Sequence, residues 1–158
     1  MKNIVLEVAR SDVEEMVAQS TAYLGFKSPG QPDRGEWIDR VSTVDEDRTL
    51  LERFVSESFA MAVERLKEFV VDADCSGSRL RLTLEVSVAY DGSVTVAVSE
   101  SFRSYLAASA LGRWLRMSYP EKGAEFDAEA IAHLSTMERN LYHRRKPVRK
   151  VARRMAAE

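Results

Sequence analysis

Apolar side chains recur at spacings of three and four along residues 43–71: Leu51, Phe54, Val55, Phe59, Ala62, Leu66 and Phe69. That period places them on one face of a helix. Glu52, Arg53, Glu57, Glu64, Arg65, Lys67 and Glu68 mostly fall on the opposite face. Thr43-Val44-Asp45-Glu46 has the S/T-x-x-E form of a capping box, in which hydroxyl and carboxylate satisfy backbone N–H groups left free in the first turn. Asp45, Glu46 and Asp47 also set negative charge against the positive end of the helix dipole. The spacing predicts a long central amphipathic helix over residues 43–71, with the rest of the chain arranged around it.

Upstream, residues 2–8 alternate with Ile4, Leu6 and Val8 on one side, which predicts a short N-terminal strand. Ser11-Asp12-Val13-Glu14 is a second capping box, followed by Val13, Met16, Val17, Ser20 and Leu24 at helical spacing. Gly25 is placed to end that helix in a left-handed conformation. Residues 26–41 then carry two prolines and two glycines, and a connection of this length without a clear pattern is often a binding or assembly loop. Trp37 and Ile38 lie in its second half. They suit anchors for a neighbouring subunit, or a clasp folded back on the chain's own core.

Downstream, residues 72–78 read as a polar turn, and residues 79–90 alternate Leu80, Leu82, Leu84, Val86 and Val88 against Arg79, Arg81, Thr83, Glu85 and Ser87. Asp91-Gly92 marks a turn, after which Val94, Val96 and Val98 resume the alternation. A three-residue loop, Tyr90-Asp91-Gly92, would pair Val88 with Val94, Val86 with Val96 and Leu84 with Val98 on one face. This predicts a β-hairpin over residues 79–98. A third helix, capped by Ser99 or Ser101, carries Phe102, Tyr105, Leu106, Ala110, Trp114 and Met117 and stops before Pro120. Residues 119–123 read as a connector. A fourth helix over residues 124–145 turns Phe126, Ala130, Leu134, Met137 and Leu141 inward, and Pro147 ends it. Residues 148–156 read as a short extra helix or an unstructured tail. The fold class expected is therefore α+β and mainly helical: four helices, a hairpin and an N-terminal strand.

Composition changes this picture little, and charge changes it more. The 158 residues are the size of one domain. No apolar run reaches the ~20 residues that span a bilayer, and the N-terminal stretch lacks the form of a signal peptide. The single cysteine, Cys75, excludes an internal disulfide and a thiolate cluster, so a reducing setting is the simplest expectation. The net charge of −2 conceals an asymmetry: residues 144–158 hold seven basic groups and one acid, +6, leaving −8 on residues 1–143. We therefore divide the chain into an acidic domain, 1–143, and a basic C-terminal tail, 144–158. Such a tail suits nucleic acid or an acidic partner, or simply a solvated helix end whose cations suit the dipole.

Candidate chemistry is sparse. Glu129 and His133 stand four apart on the fourth helix, whereas the di-iron helical motif needs Glu and His three apart with further carboxylates, so a surface or half-buried histidine is the better reading. Asp72 and Asp74 flank Cys75 and disfavour its thiolate. Asp45, Glu46 and Asp47 already have a helix-start explanation. No phosphate-binding glycine loop, nucleophile elbow or zinc-binding H-E-x-x-H is present. We expect a non-enzymatic protein with no cofactor, metal or catalytic residue. The tail would give salt-sensitive, sequence-independent phosphate contact through residues 144–154, with Tyr142 and His143 a thin stacking platform.

The stretch Asp45-Glu46-Asp47-Arg48-Thr49-Leu50-Leu51-Glu52-Arg53-Phe54-Val55 resembles the helix start of the head–tail connector proteins of long-tailed phages, which carry a D-D-x-L-L-type run. A short capped helix upstream, here residues 11–24, is also similar to their layout. The segment Lys146, Pro147, Arg149, Lys150 is similar to that of prophage-borne structural proteins. The likeness covers about residues 11–70. It implies a virion structural protein, made in the host bacterial cytoplasm, that forms a homo-oligomeric ring in the neck and meets portal or tail proteins. Interface candidates on this reading are Trp37, Ile38, Arg144, Arg145, Lys146, Arg149, Lys150, Arg153 and Arg154. The alternative is a small cytoplasmic nucleic-acid-binding protein acting through its tail.

Overall fold

The computed structural model describes residues 1–27 and 47–147. In chain order they form strand β1 (Lys2–Ala9), helix α1 (Arg10–Lys27), helix α2 (Arg48–Arg65), strands β2 (Val70–Asp74) and β3 (Arg79–Val86), a 3-10 turn (Gly92–Val94), helix α3 (Thr95–Ser118) and helix α4 (Pro120–Leu141). The class is α+β and mainly helical, with a long helix and an N-terminal strand, as expected. Ile4, Leu6 and Val8 of β1 are buried, as are Leu80, Leu82, Leu84 and Val86 of β3. These two rows share one sheet face and meet the helices.

The partner of β3 differs from expectation. Residues 79–98 form no hairpin. β3 is the middle strand of an antiparallel sheet ordered β1-β3-β2. It pairs Leu84 with Ile4, Leu82 with Leu6 and Leu80 with Val8 on one side. On the other it meets β2, where the register shifts between Val70 and Asp72. Val94, Val96 and Val98 are not a strand: Val96 is 73% exposed while Val98 is fully buried, as one helix face requires. The 3.6-residue period from Val98 through Phe102, Tyr105 and Leu106 continues for the whole of α3, and that tertiary burial outweighs the β preference of three valines. Asp91 caps the preceding turn by accepting from the Ser93 N–H at 3.0 Å.

Two further boundaries are corrected for related reasons. The helix expected over residues 43–71 ends at Arg65, and residues 43–46 lie outside the described residues. Leu51, Val55, Phe59, Ala62 and Leu66 are buried as the period requires. Val70, Val71 and Asp72, however, extend as an edge strand to satisfy the free side of β3, so only residues 75–78 turn. Helix α1 begins at Arg10, directly after β1, which leaves no space for a Ser11 cap, and it runs through Gly25 to Lys27.

The central element is not the helix expected over residues 43–71 but α3, 24 residues long, on which α1, α2 and α4 all pack. It starts at Thr95, ahead of Ser99 and Ser101, and stops before Pro120. The connector expected at 119–123 shrinks to Tyr119, because Pro120 fits the first turn of α4, where its missing N–H costs nothing. Helix α4 ends at Leu141, four residues short of the sequence reading. Ala130, Leu134, Met137 and Leu141 face inward, and Phe126 is half-buried against the core.

So tight a link brings the two backbones together. A Cβ on Gly123 would stand 2.9 Å from the Arg116 backbone nitrogen and 3.0 Å from the Gly112 carbonyl oxygen. Gly→Ala inside a helix ordinarily gains about 1 kcal/mol. At Gly123 we expect the sign to reverse, with Gly123→Ala destabilising by about 1–2 kcal/mol because backbone cannot yield to the new methyl. Urea denaturation checks this, and an Ala variant as stable as the parent would disprove the close packing.

Candidate functional site

Helix α4 ends at Leu141, where the chain turns toward the segment after β3. Tyr142 lays its ring edge-on against Phe69, centroids 5.0 Å apart, and its hydroxyl donates to Glu68 Oε2 at 3.2 Å. Beyond it, the Asp91 N–H donates to the His143 carbonyl at 3.1 Å and the Arg145 N–H to the Ala89 carbonyl at 2.9 Å. Arg144 thereby forms an isolated antiparallel bridge with Tyr90. Tyr90 is buried and its hydroxyl lies 3.2 Å from Thr95 Oγ1. The root of the basic segment is therefore fastened to a buried anchor by main-chain bonds.

Its electrostatics follow from the same residues. The backbone and then the hydroxyl of Ser93 hold the Asp91 carboxyl below its usual range. Asp91 thus stays anionic, with Oδ2 3.9 Å from His143 Nε2. The side chains of Arg144, Arg145 and Lys146 stand exposed just beyond, and cations beyond the last turn of α4 also suit its dipole. Three of the nine interface candidates are thus gathered at one place. Trp37, Ile38, Arg149, Lys150, Arg153 and Arg154 lie outside the described residues.

Two concavities are lined by other residues. A groove of about 450 Å³ runs between α2 and α4 over α3, lined by Met61, Arg65, Tyr105, Arg113, Ile131 and Leu134. Met61 and Ile131 are large apolar side chains left 55% and 65% exposed. On its floor the Tyr105 hydroxyl donates to the Ser58 carbonyl, and Ser58 Oγ donates to Ser109 Oγ. A cleft of about 560 Å³ is polar instead, lined by Arg10, Glu14, Arg48, Glu52 and Ser76. Burial, and then the charge of Glu52, raises the Glu14 carboxyl, whose Oε1 is buried with no hydrogen-bond partner among the described residues.

Arg10 closes the inner wall of that cleft. Its guanidinium donates to the carbonyls of Glu52, Cys75 and Gly77 and to Ser56 Oγ, while its own N–H meets the Ser78 carbonyl. One side chain therefore joins α1, α2 and the β2–β3 turn. The carbonyl of Cys75 serves this clasp, and its thiol is half-buried. His133 lies on the α4 surface, 3.4 Å from Glu129 Oε1. Among the described residues no three His, Cys, Asp or Glu side chains gather as a metal site would require, and no helix is long and apolar enough to cross a membrane.

Sequence reasoning missed both Arg10 and the anchor at residues 89–91. Arg10 left no local signal, because its partners are 42 to 67 residues away. The anchor did leave one: Asp91-Gly92-Ser93 is a helix-start pattern as well as a hairpin turn. No protein-family model, curated protein or solved structure matches the chain.

Proposed function

We propose that the protein is a structural subunit that assembles with copies of itself, as a ring component of the head–tail connector kind it resembles. The observation that carries this reading is the fastening of residues 143–145 to Ala89 and Asp91. A strongly basic segment leaves an acidic body from a fixed point. A fixed root lowers the entropy cost of reaching a neighbouring surface, and opposite charges on body and tail favour head-to-tail contact between identical chains. Head-to-tail contacts close into rings when the rotation allows.

The test is mass in solution by light scattering over a concentration series, with the full chain and with a chain ending at residue 143. The full chain should grow toward a closed oligomer and the shortened chain should remain smaller. Equal masses throughout would sink the role given to the tail. A strictly monomeric full chain that binds duplex DNA, with affinity falling steeply between low and moderate salt, would favour nucleic-acid binding instead.

A further inference from the structure

The two edges of the sheet are unlike each other. β2 is short and bears a register shift between Val70 and Asp72, with Asp72 and Asp74 exposed on it. Bulges, brevity and charge are the ordinary means of keeping an edge strand from pairing with another chain. β1 is neither short nor bulged, and its only two charges are Lys2 at its first position and Glu7. Its eight residues keep one unbroken register against β3, and it contains no proline or glycine. Of its two charges, Glu7 is already engaged within the sheet by Arg79 at 3.0 Å and Arg81 at 3.9 Å. On the side away from β3, no described residue makes a backbone hydrogen bond to it.

We infer that the free edge of β1 pairs antiparallel with β1 of a second copy, joining two sheets into one of six strands. The side chains select a single register. To keep both apolar faces on the same side, even-numbered residues must oppose even and odd oppose odd. With Val5 on the two-fold axis, Asn3 faces Glu7, Ile4 faces Leu6 and Lys2 faces Val8, so all of residues 2–8 are paired. Val5, 47% exposed on the outer face, then covers its own counterpart, and the Asn3 amide can donate to the Glu7 carboxylate. Moving the axis to Leu6 sets Val5 against Glu7. Moving it to Ile4 sets Val5 against Asn3 and shortens the overlap. Main-chain hydrogen bonds supply the affinity in such strand addition, and the alternate side chains supply specificity. This two-fold contact is separate from the head-to-tail contacts of a ring and does not use the basic tail.

Cysteine cross-linking tests it in the full-length Cys75→Ser protein. Opposed residues of an antiparallel pair bring Cα atoms within disulfide range. Val5→Cys should therefore oxidise to a covalent dimer. Glu7→Cys alone should not, whereas a mixture of Asn3→Cys and Glu7→Cys chains should cross-link. Val5→Lys, which sets like charges on the axis, should raise the dimer dissociation constant roughly tenfold with the circular dichroism unchanged. A parent protein monomeric at every concentration, or equal cross-linking through residues 5 and 7, overturns the inference. So does a dimer that Val5→Lys leaves intact while folded. Should Val5→Lys fail to fold, the cysteine pattern decides alone. Deleting residues 144–158 separates the two proposals: it should lower the mass of a ring and leave the Val5→Cys cross-link in place.

Discussion

Phe102→Ala should cost about 3–5 kcal/mol of folding stability, lowering Tm by roughly 10 °C in a chain of this length. Phe102 is fully buried in the first half of α3. Its ring meets Phe59 of α2 edge-on, centroids 6.1 Å apart, and the sheet residues Leu80, Leu82 and Leu84 belong to the same core. Truncation would leave a cavity where a helix, a second helix and a sheet converge, a place poorly able to collapse because β3 is held by ladders on both sides. Phe102→Leu should lose markedly less. Thermal and urea denaturation measure both, and a loss under about 1 kcal/mol for the alanine variant would show that the core is centred elsewhere.

Arg10→Ala should cost about 2–3 kcal/mol, in the range of hydrogen bonds made by a charged group. Three carbonyls and a hydroxyl lose their donor together, and the β2–β3 turn loses its tie to α1 and α2. Arg10→Lys should recover less than half, because an ammonium cannot reproduce a planar fork that reaches several acceptors at once. Proteolysis under native conditions would then begin near residues 75–78. Full rescue by lysine would mean that charge alone matters at this position and that the forked geometry does not.

Local periodicity made much of the fold legible before any coordinates. The rows Ile4-Leu6-Val8 and Leu80-Leu82-Leu84-Val86 are strands, and the stripe Leu51-Val55-Phe59-Ala62 is a helix face, because each pattern is long enough to have one period. The misreadings fall where two periods overlap. Val94, Val96 and Val98 alternate like a strand, yet Val98 is also the first position of the stripe that runs on through Phe102. Val70 and Val71 end one helical pattern while serving β3 as neighbours. Burial along α3 decides the first case and the pairing needs of β3 decide the second, and the second cannot be read from any window of adjacent residues.

The candidate site was less legible. The tail's charge could be counted from the sequence, but its root is fixed by backbone bonds to Ala89 and Asp91, which side-chain chemistry does not announce. Likewise, the alternation of β1 identified a strand without showing which of its edges is left open. Edges belong to a sheet, and a sheet exists only once partners are known.

The register of β1 against β3 has a consequence for how the chain is made. Lys2 meets Val86 and Val8 meets Leu80, so β1 must wait for almost the last residues of the sheet to be made before it can pair. At ~5–20 residues per second, that delay lasts several seconds. During it an alternating apolar strand stands open while neighbouring nascent chains on the same message present the same strand.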